Sequence, residues 1–297
     1  VSVIVPALNA QDHVAEMLAG LARQEYAGDW ELVIADNGCT DRTVEIAESW
    51  RDRLPGLRVV DARDRRGVAH ARNVATAAAH GEFLACLDTD DVPATGWLRG
   101  LTEAAAEADL VRAESERVLL NEGLAEDWPP VWPPMSPGGP GFRNIGGHRL
   151  GVWTDIAAEL RWDESLDRGG EDVDFSCRAR LREMTFAKAP NALIHKRLRR
   201  RLPEVARQAF WYGYCVPIIR ARHGSEGMRL AGLTRRQRSA RVLNGVRAAT
   251  RSRAARATLV WDLSFAAGRV AGGPAARRER RRLGSAGEAR EPAGASD

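Results

Sequence analysis

In the N-terminal part of the chain, short β-branched runs alternate with longer stretches whose apolar residues recur every three or four positions. Val1-Ser-Val-Ile-Val5, stopped by Pro6, has the composition of a buried strand. Ala10 to Gln24 carries Val14, Leu18 and Leu21 at helical spacing. Glu31 to Ala35 predicts a second strand, closed by the turn residues Asp36-Asn37-Gly38. Thr40 to Trp50 predicts a helix with Thr40 or Asp41 at its N-cap. Leu57 to Asp61 reads as a third strand and Val68 to His80 as an Ala-rich helix. Glu82 to Leu87 reads as a fourth strand that runs straight into Asp88-Thr89-Asp90-Asp91. Strands alternating with helices of this length predict right-handed βαβ units and a mostly parallel central sheet in a Rossmann-like α/β fold. Ligands of such sheets bind beyond the carboxyl ends of the strands, where the Asp36-Asn37 and Asp88–Asp91 turns fall.

Farther along, Trp97 to Ala108 predicts a helix, Asp109 to Arg112 a strand and Glu171 to Arg182 a helix entered through Gly169-Gly170. Ala192 to His195 predicts a last short strand. Between them, Trp128 to Gly141 is a Pro/Gly/Trp loop of the kind that forms lids and binding loops. Beyond His195, Pro203 to His223 and Arg235 to Gly268 read as Arg-studded helices, and Gly272 onward as a disordered tail of low apolar content. The division expected is therefore a catalytic domain over 1–202, a basic helical extension over 203–271 and a tail over 272–297.

Charge sharpens that division. The formal net charge is only +4, but residues 196–297 hold 24 basic side chains against 7 acidic, and residues 1–195 hold 20 against 33. A hydrophobic fraction of 44% excludes global disorder. No run of about 18 uncharged apolar residues exists, which excludes a conventional membrane span. The opening strand has no basic region or small-residue cleavage site before it, so no secretory signal is read. Four cysteines, Cys39, Cys86, Cys177 and Cys215, are widely spaced with no CxxC pair, as free thiols of a cytoplasmic protein would be.

The residues with chemistry begin at Asp88, Asp90 and Asp91. Carboxylates crowded at a strand end repel one another unless a positive charge sits among them. A divalent Mg²⁺ or Mn²⁺ shared with a diphosphate supplies it. Alone, the same cluster fits a solvated turn or a helix N-cap.

Five motifs occur in order: Val1-Ser-Val-Ile-Val-Pro-Ala-Leu-Asn9, Asp36-Asn-Gly-Cys-Thr-Asp41, Arg66-Gly-Val-Ala-His-Ala-Arg-Asn73, Gly81 to Asp91, and Gly170-Glu-Asp-Val-Asp-Phe-Ser-Cys-Arg178. Together they resemble the family 2 glycosyltransferases of the GT-A fold, over roughly Val1 to Gly224. The resemblance implies a metal-dependent, inverting transfer from a nucleotide-diphosphate sugar, UDP-sugars being favoured, to a hydroxyl acceptor that could be lipid-linked. It implies a donor nucleotide lined by Pro6, Ala7 and Asn9, with Asp36 accepting a bond from the base and Arg72 on the segment contacting nucleotide and diphosphate. Asp88, with Thr89 beside it, would reach the ribose or the metal, Asp90 would be the main metal ligand, and His195 would complete the shell. Asp172 would be the general base, with Glu171 and Asp174 as alternatives, and Glu171 and Trp153 would lie on the acceptor side. Donor preference would be set around His70, Trp97 and the Pro-rich loop. The tryptophans Trp128, Trp132 and Trp153 fit either sugar stacking or ordinary packing.

Two other classes remain at this point. A nucleotidyltransferase would want a Gly-rich, basic first loop, which Pro6-Ala-Leu-Asn9 lacks. A non-catalytic protein binding membrane or nucleic acid would rest on Lys196 to Arg201 and Arg277 to Arg282, but no nucleic-acid recognition fold or zinc spacing is present. An amphipathic segment, Leu259 to Gly268, together with those arginines suits attachment to the anionic inner face of the cytoplasmic membrane.

Overall fold

The computed structural model describes residues 1–124, 145–227, 246–250 and 252–288, together with the backbone of 135–136 and 229–230. The chain divides into two compact units, one of residues 1–127 and 141–199, the other of 128–140 and 200–297.

The first unit opens with β1 (Ser2–Ala7), α1 (Val14–Ala22), β2 (Glu31–Asp36), α2 (Thr43–Glu48), β3 (Arg58–Asp61), α3 (Val68–Ala78) and β4 (Phe83–Cys86). It continues through β5 (Val92–Pro93), α4 (Trp97–Ala105), β6 (Leu110–Glu116), β8 (Leu150–Trp153), α5 (Thr154–Leu160), α6 (Glu171–Leu181) and β9 (Phe186–His195). The eight strands form one sheet in the order β3-β2-β1-β4-β8-β6-β9-β5. β3, β2, β1 and β4 run parallel, as the repeating strand–helix pattern predicts. β8 is antiparallel to both β4 and β6, and β5 is antiparallel to β9.

Apolar side chains lie on both faces of these strands. Val3, Val5, Leu32, Ile34 and Ala85 pack with α1 and α4, while Ile4, Val33, Ala35, Leu84 and Cys86 pack with α3, α5 and α6. Sandwiching between helix layers explains why the strands read as continuous hydrophobic runs instead of alternating ones. Trp97 is fully buried in this core, so it is a packing residue and not the edge of a donor pocket.

Three local features differ from the sequence expectations. α2 starts at Thr43, because Asp41 Oδ1 accepts from the Thr43 amide at 3.0 Å and its hydroxyl at 2.5 Å, which holds the preceding residues in a turn. β9 spans ten residues, since pairing with β6 extends it back to Phe186. Gly273–Glu288 is helical where a disordered tail was expected. Its Ala, Arg and Leu residues have high helix propensity although they offer little apolar surface.

The second unit contains the antiparallel pair β7 (Met135–Ser136) and β10 (Arg229–Leu230), and the helices α7 (Leu202–Gly227), α8 (Arg253–Ala271) and α9 (Gly273–Glu288). Val205, Ala209 and Trp261 form its small core. Gly213 and Gly268 let α7 and α8 touch at the backbone, since a methyl group on either would overlap a carbonyl of the other helix. Ser252 caps α8, its hydroxyl accepting from the Ala255 amide at 3.0 Å. No helix among the described residues is long and apolar enough to cross a membrane.

Candidate active site

The carboxyl ends of β1, β2 and β4 and the start of α6 carry the chemistry. Asn9 follows β1 in a left-handed conformation, φ +50°, and its Oδ1 accepts from the Thr40 amide at 2.8 Å, lacing the first two strand-end loops together. Asp36 ends β2 and folds its own turn, Oδ1 accepting from the amides of Gly38 at 3.0 Å and Cys39 at 2.7 Å. Asn37 then donates to the carbonyls of Ala62 and Arg65, both at 2.7 Å, and accepts from the Gly67 amide at 2.8 Å. These bonds fix the loop of Asn9 beside the paired strand ends that carry Pro6, Ala7 and Asp36.

At the end of β4 the acidic turn splits. Asp88 faces the start of α3, where its Oδ1 accepts from Arg72 Nη2 at 3.1 Å. Asp91 is fully buried and accepts from Lys196 Nζ at 3.3 Å and the Arg197 amide at 3.0 Å. Burial pushes its carboxyl up to about 7, with Lys196 opposing the rise. Asp90 turns the other way and pairs with Arg199 at 3.2 Å. Thr89 is half-buried between them.

The divalent cation was expected on Asp90, Asp88 and His195. Among the described residues the structure instead brings together Asp88, Asp91 and His148, with ligand atoms all within 4.8 Å of one another. His148 Nε2 is buried without a hydrogen-bond partner among the described residues. Burial, with Lys196, Arg149 and Arg72 adding to it, drives the His148 imidazole well below its ordinary range and keeps it neutral, the form that ligates metals. Two carboxylates and one neutral imidazole with an unsatisfied nitrogen fit a hard or borderline divalent cation. His195 lies opposite Val92 in the β5–β9 pair, and its Nδ1 is 2.5 Å from Glu116 Oε1, outside that group of ligand atoms.

α6 is entered through Gly170, which is left-handed at φ +87°, and carries Glu171, Asp172 and Asp174 in its first turn, where carboxylates suit the helix dipole. Asp172 is held by two backbone amides, Gly147 at 3.2 Å and Val173 at 2.7 Å. Glu171 is buried and accepts from Arg72 Nη1 at 2.8 Å. Burial and the neighbouring Asp172 push the Glu171 carboxyl up to about 7, while Arg72 works against them. Arg72 itself is enclosed. Burial works against its charge, but Asp88 and Glu171 outweigh that and raise its pKa. One guanidinium thus faces three carboxylates, and the surplus of negative charge is what a cation would neutralise.

Trp153 is not brought to this site. It pairs with Phe83 at the start of β4, at the opposite end of the strand from Asp88, packs edge-on against that ring at 5.5 Å and donates to the Ala108 carbonyl at 3.2 Å. Trp128 and Trp132 lie outside the described residues. His70 bridges Glu164 at 3.1 Å and Asp64 at 2.8 Å. Sequence reasoning missed His148, and the one local signal for it was the pair Gly146-Gly147 immediately before it.

The sheet covered by helices on both faces is that of a GT-A fold. Solved structures agree: the Pyrobaculum calidifontis mannosyltransferase PcManGT, in complex with GDP-Man and Mn²⁺, superposes with a TM-score of 0.63 at 18% identity, covering 91% of this chain and 86% of that one. Staphylococcus aureus TarS 1–349 with UDP gives 0.54 at 19% identity, covering 95% and 91%. Residues 2–144 match the family model "Glycosyl transferase family 2". In sequence, the poly(ribitol-phosphate) β-N-acetylglucosaminyltransferase TarS of Staphylococcus aureus is 38% identical over 92 residues, 30% of this chain and 16% of TarS. The Escherichia coli UDP-Glc:α-D-GlcNAc-diphosphoundecaprenol β-1,3-glucosyltransferase WfgD is 33% identical over 96 residues, 31% of this chain and 35% of WfgD. The chain therefore spans well under half the length of these two relatives.

Proposed function

We propose that the chain is an inverting, metal-dependent glycosyltransferase that moves a sugar from a nucleotide-diphosphate sugar to a hydroxyl acceptor, with Asp172 as general base. The observation that carries this reading is the grouping of Asp88, Asp91 and His148 beside Arg72, which reaches across to Glu171 next to Asp172. The carboxyl ends of β1 and β2 and the loop after β1, with Pro6, Ala7, Asn9 and Asp36, form the nucleotide edge. Asp36, whose Oδ1 is taken up by its own turn, is the residue offered to the base. Asp88 with His148 and Asp91 would hold Mn²⁺ or Mg²⁺, which when bound neutralises charge developing on the leaving diphosphate. Asp172 takes the proton of the acceptor hydroxyl as its oxygen attacks the anomeric carbon, and the bond from that carbon to the diphosphate oxygen breaks. One base on the face opposite the leaving group gives inversion, and no second catalytic carboxylate is needed.

TarS and WfgD support an acceptor of the cell envelope, through the poly(ribitol-phosphate) and diphosphoundecaprenol of their names. The second unit supports attachment to an anionic membrane surface. Leu263 and Val270 are exposed seven residues apart on α8, and Arg277, Arg278 and Arg280 are exposed on α9. Flotation with anionic vesicles at two salt concentrations tests the attachment, and equal recovery with neutral vesicles overturns it. The catalytic reading is tested by thermal melts with UDP-, GDP- and dTDP-sugars, each with and without Mn²⁺. At least one donor should raise the melting temperature in a Mn²⁺-dependent way, and no rise with any of them would overturn the reading.

A further inference from the structure

Arg72 stands in the motif segment that the family resemblance assigns to nucleotide and diphosphate, yet its side chain is only 4% exposed. Nη1 donates to Glu171 Oε1 at 2.8 Å and Nη2 to Asp88 Oδ1 at 3.1 Å, joining the end of β4 to the first residue of α6. Gly147 closes over the guanidinium, since a Cβ there would lie 2.5 Å from Arg72 Cζ. The same Gly147 donates its amide to Asp172 Oδ2 at 3.2 Å. The guanidinium is thus enclosed and already engaged by two carboxylates.

We propose that Arg72 is a positioning residue that couples cation binding at Asp88 to the start of α6 beside Asp172, and is not a contact of the donor. This rests on the reading of Asp88 as a cation ligand. One guanidinium divides its charge between two carboxylates, so whatever loosens one bond strengthens the other. A divalent cation on Asp88 competes with Nη2, and the guanidinium then bears more fully on Glu171, fixing the first turn of α6 and the Gly147 amide that holds Asp172. Binding coupling is reciprocal. Neutralising Glu171 must therefore drive Arg72 onto Asp88 and weaken the cation, although Glu171 is not among the grouped ligands. Lysine, a single point charge, cannot span both partners as the guanidinium fork does.

The test is Mn²⁺ binding to the full chain at pH 8, read from the electron paramagnetic resonance of free Mn²⁺. Glu171→Gln should raise the Kd about 10-fold in the otherwise unchanged chain. In an Arg72→Met background the same substitution should change it less than about 2-fold, and Arg72→Lys should not restore the larger effect. Should Arg72→Met fail to fold, Gly147→Ala serves instead. Its methyl displaces the guanidinium with every charge retained, and should likewise suppress the effect of Glu171→Gln. Equal Mn²⁺ affinity in the unchanged chain and Glu171→Gln overturns the coupling, as does the same change in every background. A wild-type chain that takes up no Mn²⁺ overturns the cation reading itself, and the coupling with it.

Discussion

Arg72 and Asn73 are adjacent on α3 and similarly enclosed, at 3% and 8% exposure, yet the polar clusters they anchor are finished differently. Asn73 is saturated. Its Nδ2 donates to the Trp162 carbonyl at 2.9 Å and Glu164 Oε1 at 2.8 Å, and its Oδ1 accepts from the Trp162 amide at 2.9 Å. Glu164 in turn meets His70 and Arg65, so each charge has an opposite or hydrogen-bonding partner. Around Arg72, one guanidinium serves Asp88 and Glu171 with Asp172 close by, and among the described residues its Nε and the buried His148 Nε2 have no partner. A polar cluster that only stabilises satisfies its members, because each unpaired buried group costs about 1–3 kcal/mol. Unpaired buried atoms also occur at Thr76, Trp97 and Trp162 among the described residues, so what sets the Arg72 side apart is that its shortfall coincides with surplus negative charge.

The comparison is sharpened most by Asp172→Asn. Loss of the general base should lower turnover about 1,000-fold in a nucleoside-diphosphate release assay, while the denaturant midpoint barely moves. A large loss of stability with this substitution would mean that Asp172 belongs to the structural kind of cluster. Asn73→Ala should do the reverse. It removes three hydrogen bonds and strands the Trp162 amide, costing about 3 kcal/mol in denaturant unfolding, with Mn²⁺ affinity unchanged. If Mn²⁺ affinity fell as steeply as stability, the two sides of α3 would form a single network and the distinction would fail.

Much of the first cluster's frame was legible in the sequence. The strand–turn junctions at Asn9, Asp36-Asn37 and Asp88 could be read because a β-branched run followed by Asp, Asn or Gly is a local signal. The Glu171 helix start was legible for the same reason, as acidic residues follow two glycines that the structure holds at positive φ. What escaped depends on distant partners. Which of Asp88, Asp90 and Asp91 turn toward one another is decided by Arg72, Lys196 and Arg199, up to 109 positions away. His148 joins them only because β8 pairs antiparallel to β4, which brings the residues before Leu150 to the Asp88 end of the sheet. The family resemblance places Arg72 on the segment that contacts nucleotide and diphosphate, and its enclosure between Asp88 and Glu171, the latter 99 positions on, has no local sequence signal. The helix Gly273–Glu288 was missed because low apolar content was weighed above helix propensity.

The smallest effect concerns the unpaired charge itself. Glu171 has its carboxyl pushed up to about 7 from an ordinary 4.5, first by burial and then by Asp172. An acid whose pKa is higher folded than unfolded binds more protons in the folded state between those two values. Its contribution to stability is thus fully present below about 4.5 and is lost as pH rises to about 7. Glu164 behaves oppositely. Its hydrogen bonds from Asn73 and its His70 partner outweigh burial and lower its pKa, so its contribution is present above the unfolded value and is lost as pH falls through the lowered one. Glu171→Gln should therefore match the unchanged chain near pH 4.5, where the wild-type carboxyl is protonated and resembles the amide. It should become the more stable of the two by about 2 kcal/mol toward pH 8, measured by denaturant unfolding across that range in the absence of metal. Asp91 titrates in the same window in both chains and cancels from the difference. Parallel curves from pH 4.5 to 8 would mean that Arg72 fully compensates Glu171, and that the Arg72 cluster is as complete as the one around Asn73.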